Sequence, residues 1–293
     1  MRLASIRSRS VRRADAGTHN VPRESRPLFG TEETTLGGYK DEPIVIGGTG
    51  GSGTRVVVTI LRRLGVFMGH TYDEREDSIP MGRFDRRWGR RLILHGGGDA
   101  EGGISDLIVR GVATPAFAHA RTQQLKGYPG GRWGWKHPHC YLFLPFLHNV
   151  YPRMRFVHLV RNGLDMAISD NLGQLGRYGD LFVAPAERTG GEAVVAALFW
   201  ARANLHARRT GLDLLADRYV CVRFEDLCEQ PLATITELAR RLEIPASAED
   251  LDRAATLPRR PDSAGRAAIL PSDLRAAMAR SARPALEAFG YAE

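Results

Sequence analysis

The chain has 293 residues, 43% of them hydrophobic, which suffices for a sizeable core in one large α/β domain or two small ones and excludes wholesale disorder. Its net charge of +8 points on its face to an anionic partner, but seven arginines against Asp15 and Glu24 put +5 of it in residues 1–26. The nearly balanced remainder needs no nucleic-acid duplex to neutralise it, so any anion site there must be local and built from specific motifs.

Cys140, Cys221 and Cys228 form no CxxC pair. No apolar stretch approaches the roughly 20 residues that span a bilayer, and no signal-like apolar core follows the N-terminus. The expectation is a reduced, cytoplasmic protein without a membrane span. Residues 1–41 lack periodicity and read as a flexible basic tail, although Arg- and Ser-rich composition is also that of a transit peptide. Residues 42–293 read as one domain. Ile44–Ile46 is a short apolar strand ending in glycines, and Arg55–Leu64 carries Val57, Ile60, Leu61 and Leu64 at helical spacing. Val66–Met68 reads as a second strand, Ser78–Leu94 as an amphipathic helix, His95–Gly103 as a glycine-rich loop and Ser105–Lys126 as a helix. A strand at Trp133–Trp135, a helix over Cys140–Val150 and the buried strand Phe156–Val160 follow. Then come a helix at Leu164–Leu172, a glycine-broken loop over Gly173–Gly191 and a long helix from Glu192 to Ala216. Tyr219–Phe224 is the last predicted strand, before helices at Leu232–Leu242 and Asp273–Phe289. This alternation predicts an α/β fold with a mostly parallel central sheet flanked by helices, whose ligand lies at the carboxyl ends of the strands.

Gly48-Thr49-Gly50-Gly51-Ser52-Gly53-Thr54-Arg55 joins the first strand to the first helix, where backbone N–H groups converge on an anion at a positive helix end. Three readings fit. Gly48, Gly50 and Gly53 match a dinucleotide fingerprint, with Asp73 as the ribose-binding acid, which implies an oxidoreductase. A P-loop kinase would need Lys then Ser/Thr after the last glycine, and Thr54 and Arg55 stand there instead. A loop with the cradle but not the magnesium machinery would hold a phosphate without hydrolysing a triphosphate, as an enzyme or as a non-catalytic nucleotide-binding module.

Pro43–Arg55, Gly134-Trp135-Lys136-His137-Pro138 and Phe156–Ser169 resemble, in order, the three signature regions of sulfotransferases that use 3′-phosphoadenosine 5′-phosphosulfate (PAPS), whose fold is the P-loop-containing nucleotide-binding one. The resemblance implies a metal-independent transferase that moves a sulfuryl group from this donor to a hydroxyl or amine on a carbohydrate, small molecule or peptide, with no nucleic-acid partner. It further implies that Gly50, Gly51, Ser52, Gly53 and Thr54 cradle the 5′-phosphosulfate, with Arg55 adding charge. Arg161 and Ser169 would clamp the 3′-phosphate, Lys136 would meet the leaving oxygen, and Ser263-Ala264-Gly265-Arg266 would close over the nucleotide through Arg266. Two departures stand out. Relatives often carry Lys or Arg where this chain has Gly51, and some carry a catalytic Glu where His70 follows Gly69. His70, and after it Asp77, are therefore the candidate bases. Arg223-Phe224-Glu225-Asp226-Leu227 resembles a segment that supports the fold. His137-x-His139-Cys140 has the look of a metal triplet, read here as structural. The arginines from Arg83 to Arg91, interleaved with Phe84 and Trp88, read as a basic face over an apolar stripe, with an acidic or sugar acceptor as the alternative.

Overall fold

A computed structural model describes residues 41–95 and 104–291. The basic tail, except Asp41, and the glycine-rich segment after His95 lie outside the described residues. In chain order the elements are β1 (Ile44–Gly47), α1 (Thr54–Arg63), α2 (Ile79–His95), α3 (Ile104–Gln124), β2 (Gly134–Lys136), α4 (Leu144–Val150) and β3 (Arg155–Val160). They continue with α5 (Gly163–Ala167), α6 (Gly173–Phe182), α7 (Glu192–Leu215), β4 (Tyr219–Arg223), α8 (Phe224–Glu229), α9 (Pro231–Arg241), α10 (Ala248–Ala255) and α11 (Ser272–Ala288). The four strands form one parallel sheet in the order β2-β1-β3-β4.

Side chains of the buried strands alternate between two apolar layers, as the pleat requires. Ile44, Ile46, Val157, Leu159, Val220 and Val222 face α1 and α9, whereas Val45, Phe156 and Tyr219 face the layer built by α2, α3, α4 and α7. A third cluster joins α5, α7 and α11. Because all strands run the same way, Lys136, the glycine turn after Gly47, Arg161 and Arg223 emerge at one edge of the sheet, where an α/β sheet binds its ligand.

Four local expectations are corrected. Val66–Met68 is not a strand, because Gly65 and Gly69, at φ 84° and 78°, turn the chain on either side and leave a single bridge from Phe67 to Trp133. The helix expected over Cys140–Val150 is a 3-10 turn at Pro138–Leu142 followed by α4; Pro145 has no N–H with which to continue one helix across Phe143. The helix at Leu164–Leu172 ends at Ala167. The supposed loop Gly173–Gly191 contains α6, in which Gln174 and Tyr178 are buried, so tertiary packing overrides the low helix propensity of three glycines.

Candidate functional site

The glycine turn presents donors with nothing to bind. Gly51 and Gly53 hold φ of 92° and 95°, and the N–H of Ser52 donates to Thr49 O at 3.0 Å. Among the described residues, the N–H groups of Gly50, Gly51, Gly53 and Thr54 have no acceptor. Unpaired backbone donors at the positive end of a helix form an anion seat. The seat departs from expectation in one respect. The Ser52 side chain is 0% exposed, and its hydroxyl, which has no partner, lies under the loop, 3.1 Å from where a Gly48 Cβ would stand.

The loop is anchored from below by a buried polar chain. Asn204 of α7 donates through Nδ2 to Thr49 Oγ1 at 3.0 Å, and Gln174 of α6 donates to Gly48 O at 3.2 Å. Asn204 Oδ1 accepts from His158 Nε2 at 2.9 Å, while His158 Nδ1 accepts from the Tyr219 hydroxyl at 2.6 Å. Acceptance through Nδ1 calls for a neutral imidazole protonated on Nε2; burial pushes the His158 pKa down to about 4, although the Asn204 contact works the other way.

At the end of β2, Lys136 is 4% exposed. Its Nζ donates to Arg75 O at 2.7 Å and to an Asp77 carboxylate oxygen. Burial lowers the Lys136 pKa, opposed by the Asp77 charge. Asp73 shapes the turn that delivers Asp77, its Oδ1 accepting from the N–H groups of Arg75 and Asp77, each at 2.9 Å. Lys136 and Asp77 are thus brought together. His70 is exposed; its ring lies edge-on to Phe67 at 5.1 Å and beside Gly127. Arg55 is exposed on the first turn of α1.

On the other side of the loop, Arg161 stacks over Phe224 at 5.4 Å. Its Nη2 donates to Ser263 Oγ at 3.1 Å and its Nη1 reaches Gly51 O at 3.5 Å, whereas its Nε is buried without a partner. Phe224 also underlies Gly53, where an added Cβ would stand 2.3 Å from the ring. Ser169 Oγ accepts from Asn171 N–H at 2.9 Å, and the Asn171 amide lies 3.1 Å from where a Gly50 Cβ would be.

Sequence reasoning missed the group that fixes the late basic turn. The buried Asp165 carboxylate accepts from the N–H groups of Gly265 at 2.6 Å and Ala267 at 2.9 Å, and the Arg266 guanidinium donates to Asp165 O at 3.1 and 3.3 Å. Glu225, in the segment read as supporting the fold, accepts from Asn162 N–H at 3.0 Å and from the Tyr291 hydroxyl at 2.6 Å.

Behind Lys136 the buried Asp85 binds His139 Nδ1–H at 2.8 Å and the Tyr178 hydroxyl at 3.0 Å. His137 Nε2 lies 3.3 Å away and Arg177 Nη2 3.5 Å away. Burial alone would raise the Asp85 pKa, but its contacts with His137 and His139 hold it well below the usual carboxylate range. The ligand atoms of Asp85, His137 and His139 lie within 4.8 Å of one another, and the Arg177 cation already faces the same carboxylate oxygen.

The fold is thus a parallel α/β sheet whose carboxyl edge gathers the glycine turn with its unused N–H groups, the buried Lys136 and Arg161. The family model described as the sulfotransferase family matches residues 43–249, and the chain belongs to that family. No curated protein sequence gives a significant match. Among solved structures, the chain is similar to sulfotransferase STF9 from Mycobacterium avium at 14% identity, covering 85% of this chain and 76% of that one with a TM-score of 0.48. It is also similar to the sulfotransferase domain of the Synechococcus PCC 7002 olefin synthase, at 17% identity, 90% and 99% coverage and a TM-score of 0.47. Mouse sulfotransferase SULT7A1 complexed with PAP matches at 12% identity, 86% of each chain and a TM-score of 0.48. Among the described residues no helix is long and apolar enough to cross a membrane.

Proposed function

We propose that residues 42–293 form one domain that transfers a sulfuryl group from PAPS to a hydroxyl or amine acceptor without a metal. The observation that carries this reading is the set of four unused N–H groups in the glycine turn, flanked by Lys136 and Arg161. The buried, unpartnered Nε of Arg161 supports a fit to a nucleotide with phosphate at both ends, since a guanidinium matches phosphate oxygens.

The donor, when bound, supplies the sulfuryl group and a bisphosphate leaving group. The N–H groups of Gly50, Gly51, Gly53 and Thr54 hold the 5′ end, with Arg55 adding charge at the rim. Arg161 and Ser169 hold the 3′-phosphate, and the turn bearing Arg266 covers the nucleotide. Lys136, a cation in a dry site, stabilises the negative charge that builds on the leaving oxygen. When Lys136 turns to that oxygen it releases Asp77, which then takes the acceptor's proton; this coupling favours Asp77 over His70 as the base. The acceptor's oxygen or nitrogen would gain the new bond to sulfur as its proton passes to the base, and the electron pair of the broken S–O bond would leave with the bisphosphate.

Thermal shift tests the reading. Adenosine 3′,5′-bisphosphate should raise the melting temperature in the presence of a chelator. A response only to ATP with Mg²⁺ would make the chain a kinase, and a response only to NAD an oxidoreductase.

A further inference from the structure

A cavity of about 470 Å³ opens between α2 and α3. Phe84, Trp88 and Ala120 give it an apolar lining, and Thr71 and Ile79 form one wall. That wall is continuous with the reaction centre. Ile79 N–H donates to Thr71 O at 3.1 Å, Ser78 N–H donates to Lys136 O at 2.8 Å, and Asp77, one residue earlier, reaches Lys136 Nζ.

Among the arginines of α2, Arg90 and Arg91 lie outside the cavity. Arg90 of α2 is held by Asp180, with Nη1 at 2.8 Å, and Arg91 donates to Arg87 O at 2.9 Å. Arg83 and Arg87 line the cavity, and among the described residues neither has a carboxylate partner. Arg87 instead lies over the Trp88 ring at 5.8 Å. An apolar slot with an aromatic wall and two uncompensated cations recognises a flat apolar body that ends in an anion.

We propose that this cavity receives the sulfuryl acceptor, and that the acceptor is an aromatic hydroxy compound bearing a carboxylate that Arg83 and Arg87 bind. The inference rests on the sulfuryl-transfer reading for the acceptor's role, but its recognition chemistry is testable separately. Trp88 lines the cavity, so a ligand bound there should quench its emission by direct contact.

The full-length protein is titrated with 6-hydroxy-2-naphthoate and with its uncharged isostere 6-hydroxy-2-naphthamide, following tryptophan fluorescence and heat. The naphthoate should bind roughly tenfold tighter than the amide and quench emission. Trp88→Phe should lessen the quench while the heat of binding persists. The double variant Arg83→Gln, Arg87→Gln should bind the two compounds alike, with its affinity for adenosine 3′,5′-bisphosphate unchanged, which shows that it is folded. Equal affinities in the unaltered protein, no binding of either compound, or a preference that survives the double variant would each overturn the inference. If the bisphosphate does not bind but the naphthoate preference behaves as stated, the donor reading fails and the cavity's specificity stands. If the bisphosphate binds and the preference is absent, the inference alone fails.

Discussion

At the scale of single residues, Lys136 is the group with the most to do and the fewest ways to be replaced. It is buried, it already carries a carboxylate on its Nζ, and its charge would meet a leaving oxygen. Lys136→Ala should lower the rate of sulfuryl transfer by about 100-fold or more, while calorimetry finds binding of adenosine 3′,5′-bisphosphate weakened far less; equal losses in both would contradict the role. Gly53 is constrained by geometry instead. It caps α1 in the left-handed region at φ 95°, and an added methyl would enter the Phe224 ring. Gly53→Ala should therefore cost about 1–2 kcal/mol from the backbone alone and more from the clash, read as a lower urea midpoint and loss of bisphosphate binding. The placement of the glycine turn, Lys136 and Arg161 at one edge of the sheet was legible because each ends or directly follows a short strand, whereas Ser169, beyond α5, was reached only through the family resemblance. Asp85, Asp165 and Asn204 were not legible, since each acts on a partner far away in sequence and no local pattern marks a polar residue whose partner only folding supplies.

At the scale of elements, the late turn Gly265–Ala267 belongs functionally to α5. Both Asp165 carboxylate oxygens accept its N–H groups, so α5, directly after Arg161, positions the segment proposed to cover the nucleotide. Asp165→Ala should raise the dissociation constant for the bisphosphate about tenfold, the effect of losing one charge-assisted contact pair, and increase protease sensitivity near Gly265 while β1 and β3 keep their hydrogen-exchange protection. Unchanged affinity would mean that the turn does not cover the site. The strands β1 and β3 were readable as apolar runs, and α1 from its helical spacing. The helix α6 was hidden by Gly173, Gly176 and Gly179, which argue for a loop until Gln174 and Tyr178 find their buried partners Gly48, Tyr141 and Asp85.

At the scale of the whole molecule, the polar chain from Tyr219 through His158 and Asn204 to Thr49 couples the sheet to the anion seat. Burial keeps His158 neutral in this chain. The folded pKa of about 4 lies below the ordinary value of 6.5, so at low pH the unfolded chain binds the proton that the folded chain refuses. Stability from this group is fully present above about 6.5 and is lost as pH falls toward about 4, on the order of 3 kcal/mol in all. Urea unfolding between these limits should show a fall that His158→Gln lessens by about one proton's worth of slope. An identical pH dependence in the variant would remove His158 from the account.

The net charge of the chain lies mostly in the tail, and the proposed ligand of the domain is one small nucleotide with phosphate at both ends. Calorimetric titration of adenosine 3′,5′-bisphosphate and adenosine 5′-monophosphate, with chelator present, tests that claim most directly in the natural chain and in Arg161→Gln. The bisphosphate should bind the natural chain far more tightly than the monophosphate does, and Arg161→Gln should abolish that advantage while leaving the monophosphate's affinity unchanged. Equal binding of the two nucleotides by the natural chain, or an advantage that survives Arg161→Gln, would contradict a site built around the 3′-phosphate.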